Sequence, residues 1–162
     1  MLAVGIDPGT ARTGYGFVRE TDHGFEVVDY GVITTVSTDS DETRLEQLFD
    51  RISSLLDLHQ PDSGAVEKLF FSRNITSAIH VSQARGVVLL GLKRHGVKIS
   101  EYTPMQVKQA ICGYGGAEKR QIQEMVKVIL NLESIPKPDD AADALAIALC
   151  HLQSYKLNSL AQ

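Results

Sequence analysis

Cysteine is scarce: Cys112 and Cys150 are the only two among 162 residues. They lie far apart and form no Cys-x-x-Cys pair. That excludes a disulfide framework and leaves two free thiols in a reducing cytoplasm as the expectation. No apolar run approaches the roughly 20 residues of a membrane span. No basic segment precedes the first apolar stretch, so no signal peptide is expected. Repeats and low-complexity tracts are absent. No Ser-His-Asp or Cys-His pattern suggests nucleophilic catalysis, and His23, His59, His80, His95 and His151 are scattered. Basic residues are not in excess either. Twenty acids against sixteen bases give a net charge of −4, on its face the wrong sign for a nucleic-acid partner.

What is present fits one ordinary domain, residues 1–155, followed by a flexible tail over 156–162. A hydrophobic content of 43% is normal for a globular chain. The opening run Leu2-Ala3-Val4-Gly5-Ile6-Asp7 has the β-branched residues of a buried strand, and Pro8-Gly9 ends it in a turn. Further strands are expected over 14–20 and 25–35, joined by a hairpin turn at Thr21-Asp22-His23-Gly24. Apolar residues Leu45, Leu48, Phe49, Ile52, Leu55 and Leu56 share one face of a helix over 42–59. A fourth strand over 63–69 contains Glu67. A helix over 74–95 follows, apolar nearly all round between 86 and 92, so it packs on two sides or offers one face to a partner subunit. After a fifth strand over 97–102, Thr103-Pro104-Met105-Gln106 is a helix start with Thr as N-cap and Gln at the third helical position. Helices over 104–112 and 117–131 and a last one from Asp139 or Asp140 to about Tyr155 complete the chain. Three hairpin-joined strands followed by strand–helix crossovers predict an α/β fold, a mixed five-stranded sheet flanked by helices.

The acids carry the chemistry. Asp7 stands at the carboxyl end of a core strand, where a carboxylate is costly unless hydrated, paired or bound to a metal. Asp before Pro-Gly is also a common turn residue, so Asp7 alone decides nothing. Glu67 sits inside an apolar strand that, lying parallel beside the first, would come level with Asp7. Asp139-Asp140-Ala141-Ala142-Asp143 opens the last helix. Asp140 and Asp143 share a face of its first turn, and the small alanines permit close approach to the sheet. Acids at a helix start also favour its dipole, worth about 0.3–1 kcal/mol each; Asp139 is assigned that role. Four carboxylates in one place require divalent cations or raised pKa values. All-oxygen ligands suit Mg²⁺ or Mn²⁺ rather than Zn²⁺, and two such ions roughly 4 Å apart could clamp the attacking and leaving oxygens of a phosphodiester. With four of the acids set aside, acids and bases balance, so a polyanionic substrate is compatible once metal binds.

The chain resembles the RuvC family of bacterial Holliday-junction resolvases over nearly its full length. The resemblance rests on Gly5-Ile6-Asp7-Pro8-Gly9-Thr10 with Thr13-Gly14-Tyr15-Gly16, Val66-Glu67 with Phe70, Gln83-Ala84-Arg85-Gly86-Val87, Gln106-Val107-Lys108-Gln109, Ala117-Glu118-Lys119 and Asp140-Ala141-Ala142-Asp143-Ala144-Leu145-Ala146. The first stretch also opens sugar kinases and Hsp70-type ATPases; the ordered set is specific. The resemblance implies a ribonuclease H-like fold, a homodimer, Mg²⁺-dependent nicking of opposed strands of four-way junction DNA, and work beside the RuvA–RuvB branch-migration complex. It carries catalytic and metal-binding roles to Asp7, Glu67, Asp140 and Asp143, although some relatives have His in place of Asp140. It places a base-stacking aromatic at Phe70, with Phe71 as core or adjunct, and lysines near DNA at Lys108 and Lys119. From their own chemistry, Arg73 can reach a phosphate and Asn74 can cap a helix. Arg85 could equally be a structural ion pair. Processing of structured RNA by a fold relative, a non-catalytic DNA-binding dimer, and an actin-like ATPase are the competing readings. The last needs a second copy of the domain and a second glycine-rich phosphate loop, which the chain lacks.

Overall fold

The hairpin-rich first third forms the antiparallel half of a single sheet. In the computed structural model, which describes residues 1–68 and 75–160, β1 (Leu2–Asp7), β2 (Arg12–Thr21) and β3 (Gly24–Thr34) run antiparallel. Helix α1 (Asp41–His59) then crosses to β4 (Ser63–Glu67), parallel to β1. Helix α2 (Ile75–Arg94) crosses to β5 (Lys98–Tyr102), parallel to β4. Helices α3 (Pro104–Cys112), α4 (Lys119–Ile129) and α5 (Asp139–Leu160) follow. The strand order is β3-β2-β1-β4-β5, the mixed sheet expected from the sequence.

Strand alternation divides the core in two. Leu2, Val4, Ile6, Phe17 and Val66 face α1 and α2, meeting Leu48, Ile52, Val88 and Leu92. Ala3, Val18 and Ala65 face the other way, toward Val107, Val126 and the long apolar side of α5. The predicted α3 start forms a full capping box, with Gln106 N donating to Thr103 Oγ1 at 3.1 Å and Thr103 N to Gln106 Oε1 at 2.8 Å. Gly113, at φ 83°, ends that helix in the left-handed region, where glycine has no Cβ penalty.

Several boundaries differ from expectation. β4 ends at Glu67, so this acid closes its strand instead of lying inside it; the ladder between β1 and β4 pairs its last residues at Ile6 and Val66. Helix α4 starts later because Glu118 is its N-cap, in a capping box with Gln121 at the third helical position, and it ends earlier, at Ile129, ahead of Asn131 at φ 48°. Helix α5 continues past Tyr155 to Leu160, with neither glycine nor proline there to stop it. Its start at Asp139 is one of the two expected. Arg85 is the structural ion pair, bound to Glu101 of β5.

Candidate active site

Register explains why Asp7 and Glu67 share a face. Ala3 pairs with Ser63, Gly5 with Ala65 and Ile6 with Val66, so the next residues on the two strands, Asp7 and Glu67, project toward α5 at the same level. Asp7 terminates the apolar run at the sheet's edge of water, as Pro8 and Gly9 leave the ladder.

Helix α5 is brought to the sheet by the absence of side chains on both sides. A Cβ on Gly5 would lie 2.1 Å from the Ala144 carbonyl oxygen and 2.5 Å from Ala148 N. One on Gly14, paired with Asp7 across β1–β2, would lie 1.9 Å from the Asp140 carbonyl oxygen. Real Cβ atoms do not approach so closely, so only glycine fits. Ala141, Ala144 and Ala148 are completely buried on the facing side of the helix. Its first turn thus lies over the end of β1, carrying Asp140 and Asp143. The alanines are legible in sequence as spacers. The glycines were missed, because a glycine in a strand signals a bulge or weak strand as readily as a contact.

Asp7, Glu67, Lys108, Lys119 and Asp143 line one cavity of about 190 Å³, with Pro104, Val107 and Ile122 among its apolar walls. Asp140 stands outside that lining, with Arg12 Nη1 3.9 Å from its carboxylate. The acids act on one another. Burial, then the charges of Asp143, Glu67 and Asp140, push Asp7 from its ordinary 3.8 up to about 7. Burial and Asp143 also raise Glu67, with Lys108 opposing. Asp143 is raised by burial although its hydrogen bond from Lys119 works the other way.

Lys119, expected from the resemblance to lie near DNA, is at the cavity. Its ammonium donates to Asp143 at 3.1 Å and lies 3.3 Å from Asp139. Burial lowers its pKa, but those two carboxylates more than offset this. Asp139 also accepts from Gln123 at 3.1 Å, so its carboxylate ties α5 to α4. Arg12 was missed in the sequence, having no motif to mark it. Phe70, Phe71, Arg73 and Asn74 lie outside the described residues.

His151 is a core residue, 2% exposed. Its Nδ1 bonds Tyr102 Oη at 2.9 Å and its Nε2 bonds Ser63 Oγ at 2.9 Å, locking α5 to β4 and β5. Burial and Lys98 depress its pKa, and its place two turns from Asp143 keeps it out of the site.

Among the described residues, no three carboxylate, histidine or cysteine side chains are drawn together closely enough to chelate an ion where they stand. The donor set nevertheless suits a hard divalent cation: carboxylates only, with three acids raising the pKa of a fourth. Such crowding is relieved by positive charge, which Lys119 and Arg12 here provide in part.

The family model described as crossover junction endodeoxyribonuclease RuvC matches residues 3–151. The chain is 51% identical over 160 residues to the protein of that name from Alkaliphilus metalliredigens, covering 99% of this chain and 98% of the relative. It is 50% identical to that from Brevibacillus brevis, covering 100% and 98%. Among solved structures, Thermus thermophilus RuvC superposes with a TM-score of 0.91 at 35% identity, covering 98% and 97% of the two chains. The same protein in complex with a Holliday junction substrate gives 0.89 at 34% identity, covering 97% and 96%. The yeast mitochondrial resolvase Ydc2 shares the fold at 12% identity, with a TM-score of 0.68 over 93% and 78%. With the family model spanning nearly all of it and half its residues shared with full-length relatives, the chain belongs to the RuvC family of crossover junction endodeoxyribonucleases.

Proposed function

We propose that this resolvase cuts four-way DNA junctions by paired, symmetric nicks, using Mg²⁺ held by Asp7, Glu67, Asp140 and Asp143, with Mn²⁺ able to replace it. The observation that carries this reading is Asp7, a carboxylate held rigidly at a strand end and pushed up to about 7 by burial and three other acids. A fold that retains such crowding needs a cation for it. When bound, two divalent ions supply the charge that activates a water and stabilises the departing 3′ oxygen. The chain's own residues do the rest. Asp7 and Glu67 fix the cation side of the site from the sheet. Asp140 and Asp143 close it from α5. Lys108 and Lys119 meet the DNA backbone at the cavity rim, and Arg73 and Asn74 meet it beyond Glu67. Phe70 stacks on a base at the branch, with Phe71 as its adjunct, a stacked base contributing about 1–3 kcal/mol. The junction complex of the Thermus thermophilus relative supports a four-way junction as substrate.

The test compares a synthetic four-way junction, a linear duplex of the same sequence and a structured RNA, each with and without Mg²⁺. Cleavage is expected on the junction when Mg²⁺ is present and not in its absence. Equal cutting of the duplex or the RNA would overturn the assignment.

Two nicks in opposed strands need two active sites, so we also infer a homodimer, working beside the RuvA–RuvB complex in the cytoplasm. Helix α2 buries Ala84, Val88 and Leu92 against the sheet. Its opposite side leaves Ile79 54% and Leu90 53% exposed, with Gln83 and Gly86 between them on the same stripe. A methyl on Gly86 would meet nothing within 4 Å, so another helix can approach there. Leu90→Asp is expected to convert a dimer to a monomer in sedimentation at micromolar concentration while the circular dichroism spectrum stays unchanged. A wild-type chain already monomeric under those conditions would exclude this interface. Among the described residues no helix is long and apolar enough to cross a membrane.

A further inference from the structure

Lys119 occupies an unusual position for a DNA-binding lysine. Its ammonium is committed to two carboxylates, 3.1 Å from Asp143 and 3.3 Å from Asp139. Asp143 belongs to the four proposed metal ligands; Asp139 does not. On the other side of the first turn of α5, Arg12 stands 3.9 Å from Asp140. The acid cluster is therefore partly neutralised by the protein's own cations, and no three acids are gathered to chelate an ion among the described residues. An ammonium and a divalent cation compete for the same carboxylate oxygens of Asp143.

From this we infer that Lys119 is an internal counter-ion of the DNA-free protein, which a phosphate must draw off Asp143 before metal binds well, so that metal and DNA load cooperatively. The inference rests on the metal reading of the four acids given above. In the free state Lys119 holds part of the Asp143 charge, and an incoming cation must displace it. A DNA phosphate at the cavity rim gives the ammonium a new anionic partner and leaves Asp143 free for metal. Asp139, itself held by Gln123, is a positioning residue: it keeps the ammonium at the rim after Asp143 is released. By linkage, whatever DNA adds to metal affinity, metal adds to DNA affinity. Binding is thereby biased toward the assembled complex, and free enzyme holds little metal with which to cut DNA at random.

Two measurements on the full-length chain test it. The first is Mn²⁺ binding without DNA, followed by the loss of the free Mn²⁺ electron paramagnetic resonance signal. Lys119→Met is expected to bind Mn²⁺ about tenfold more tightly than wild type, within the usual range of coupling between sites. Lys119→Arg, which keeps the charge, should stay near wild type. Arg120→Met removes the adjacent charge, but Arg120 pairs only loosely with Glu124 at 3.9 Å; it too should stay near wild type. The second measurement is junction affinity by fluorescence anisotropy with and without Ca²⁺. The Ca²⁺-dependent gain should be large in wild type and reduced several-fold in Lys119→Met. Equal Mn²⁺ affinity in wild type and Lys119→Met would overturn the inference while leaving the metal site intact. Mn²⁺ binding tightened in Arg120→Met as much as in Lys119→Met would do the same, reducing the effect to general charge. If neither Mn²⁺ nor Ca²⁺ binds wild type, with or without junction, the metal reading itself fails and the inference falls with it.

Discussion

Replacing Asp7 by asparagine is expected to abolish junction nicking yet make the metal-free protein more stable above pH 7. The first half follows from position. Asp7, like Glu67, is fixed by the sheet itself, and losing several kcal/mol of charge stabilisation at about 1.4 kcal/mol per tenfold lowers the rate by about 10³-fold or more. Junction binding should survive, since Asp7 is no phosphate partner. The second half follows from proton linkage. In the unfolded chain Asp7 ionises near its ordinary 3.8, whereas in the fold it keeps its proton to about 7. Between those values the folded state holds one proton more, so stability without metal falls as pH rises across the interval, and the loss is complete above about 7. At about 1.4 kcal/mol per pH unit the interval corresponds to about 4 kcal/mol. Asparagine has no proton to lose. In EDTA at pH 8 the variant should therefore unfold roughly 8–16 °C higher than wild type, given 2–4 °C per kcal/mol for a chain of this size. The gap should close toward pH 4. Saturating Mg²⁺ at pH 8 should raise wild type and leave the variant much less changed. A variant that nicks normally would refute the metal model, and one less stable than wild type at pH 8 would refute the crowding.

Gly14→Ala is expected to be the most damaging single-methyl addition in the sheet. Its Cβ would stand 1.9 Å from the Asp140 carbonyl oxygen and 2.5 Å from the carbonyl carbon. The atoms in the way are helix backbone, so no rotamer change relieves the clash. To restore ordinary contact at about 3.5–4.0 Å the start of α5 must retreat by roughly 1.5–2 Å. Overpacking of this kind costs about 3 kcal/mol. The same retreat carries Asp140 and Asp143 away from Asp7, and a displacement of about 1 Å at a reacting centre can cost about 10²-fold in rate. Urea unfolding and Mg²⁺-dependent nicking at low temperature, where the variant remains folded, should show both losses. Gly116→Ala is the comparison: its Cβ would meet only the Tyr114 ring, at 3.7 and 3.8 Å, and both properties should stay near wild type. If Gly14→Ala matched Gly116→Ala, close helix–sheet approach would not be what assembles the site.

The two expected effects differ in how visible they are beforehand. Asp7 is legible in the sequence: β-branched residues running to an acid before Pro-Gly describe a strand end. Asp140 and Asp143 are legible through their spacing, and Thr103 and Gln106 through a local hydrogen-bond pattern. Gly14 is not legible as a spacer, because what it excludes is the backbone of a helix that begins more than a hundred residues later. Arg12 is an ordinary surface cation in the chain, and Lys119 is marked there only by a family motif that places it near DNA. Only the packing of α4 and β2 beside α5 makes them partners of Asp143 and Asp140. His151 reads as a polar residue on an apolar helix, and its Tyr102 and Ser63 partners come from two different strands.

The sequence by itself determined the local facts: which residues form strands and helices, that the sheet is mixed, that the candidate site's donors are carboxylates, and which family's motifs they match. Those follow from residue type and short-range periodicity, which act within a few residues. The tertiary structure decided which acids feel one another, which cations stand against them and how closely α5 may lie on β1 and β2. The physical reason is distance. Charge and excluded volume act over a few ångströms, and only the packed fold brings Asp7, Glu67 and the first turn of α5 within that range.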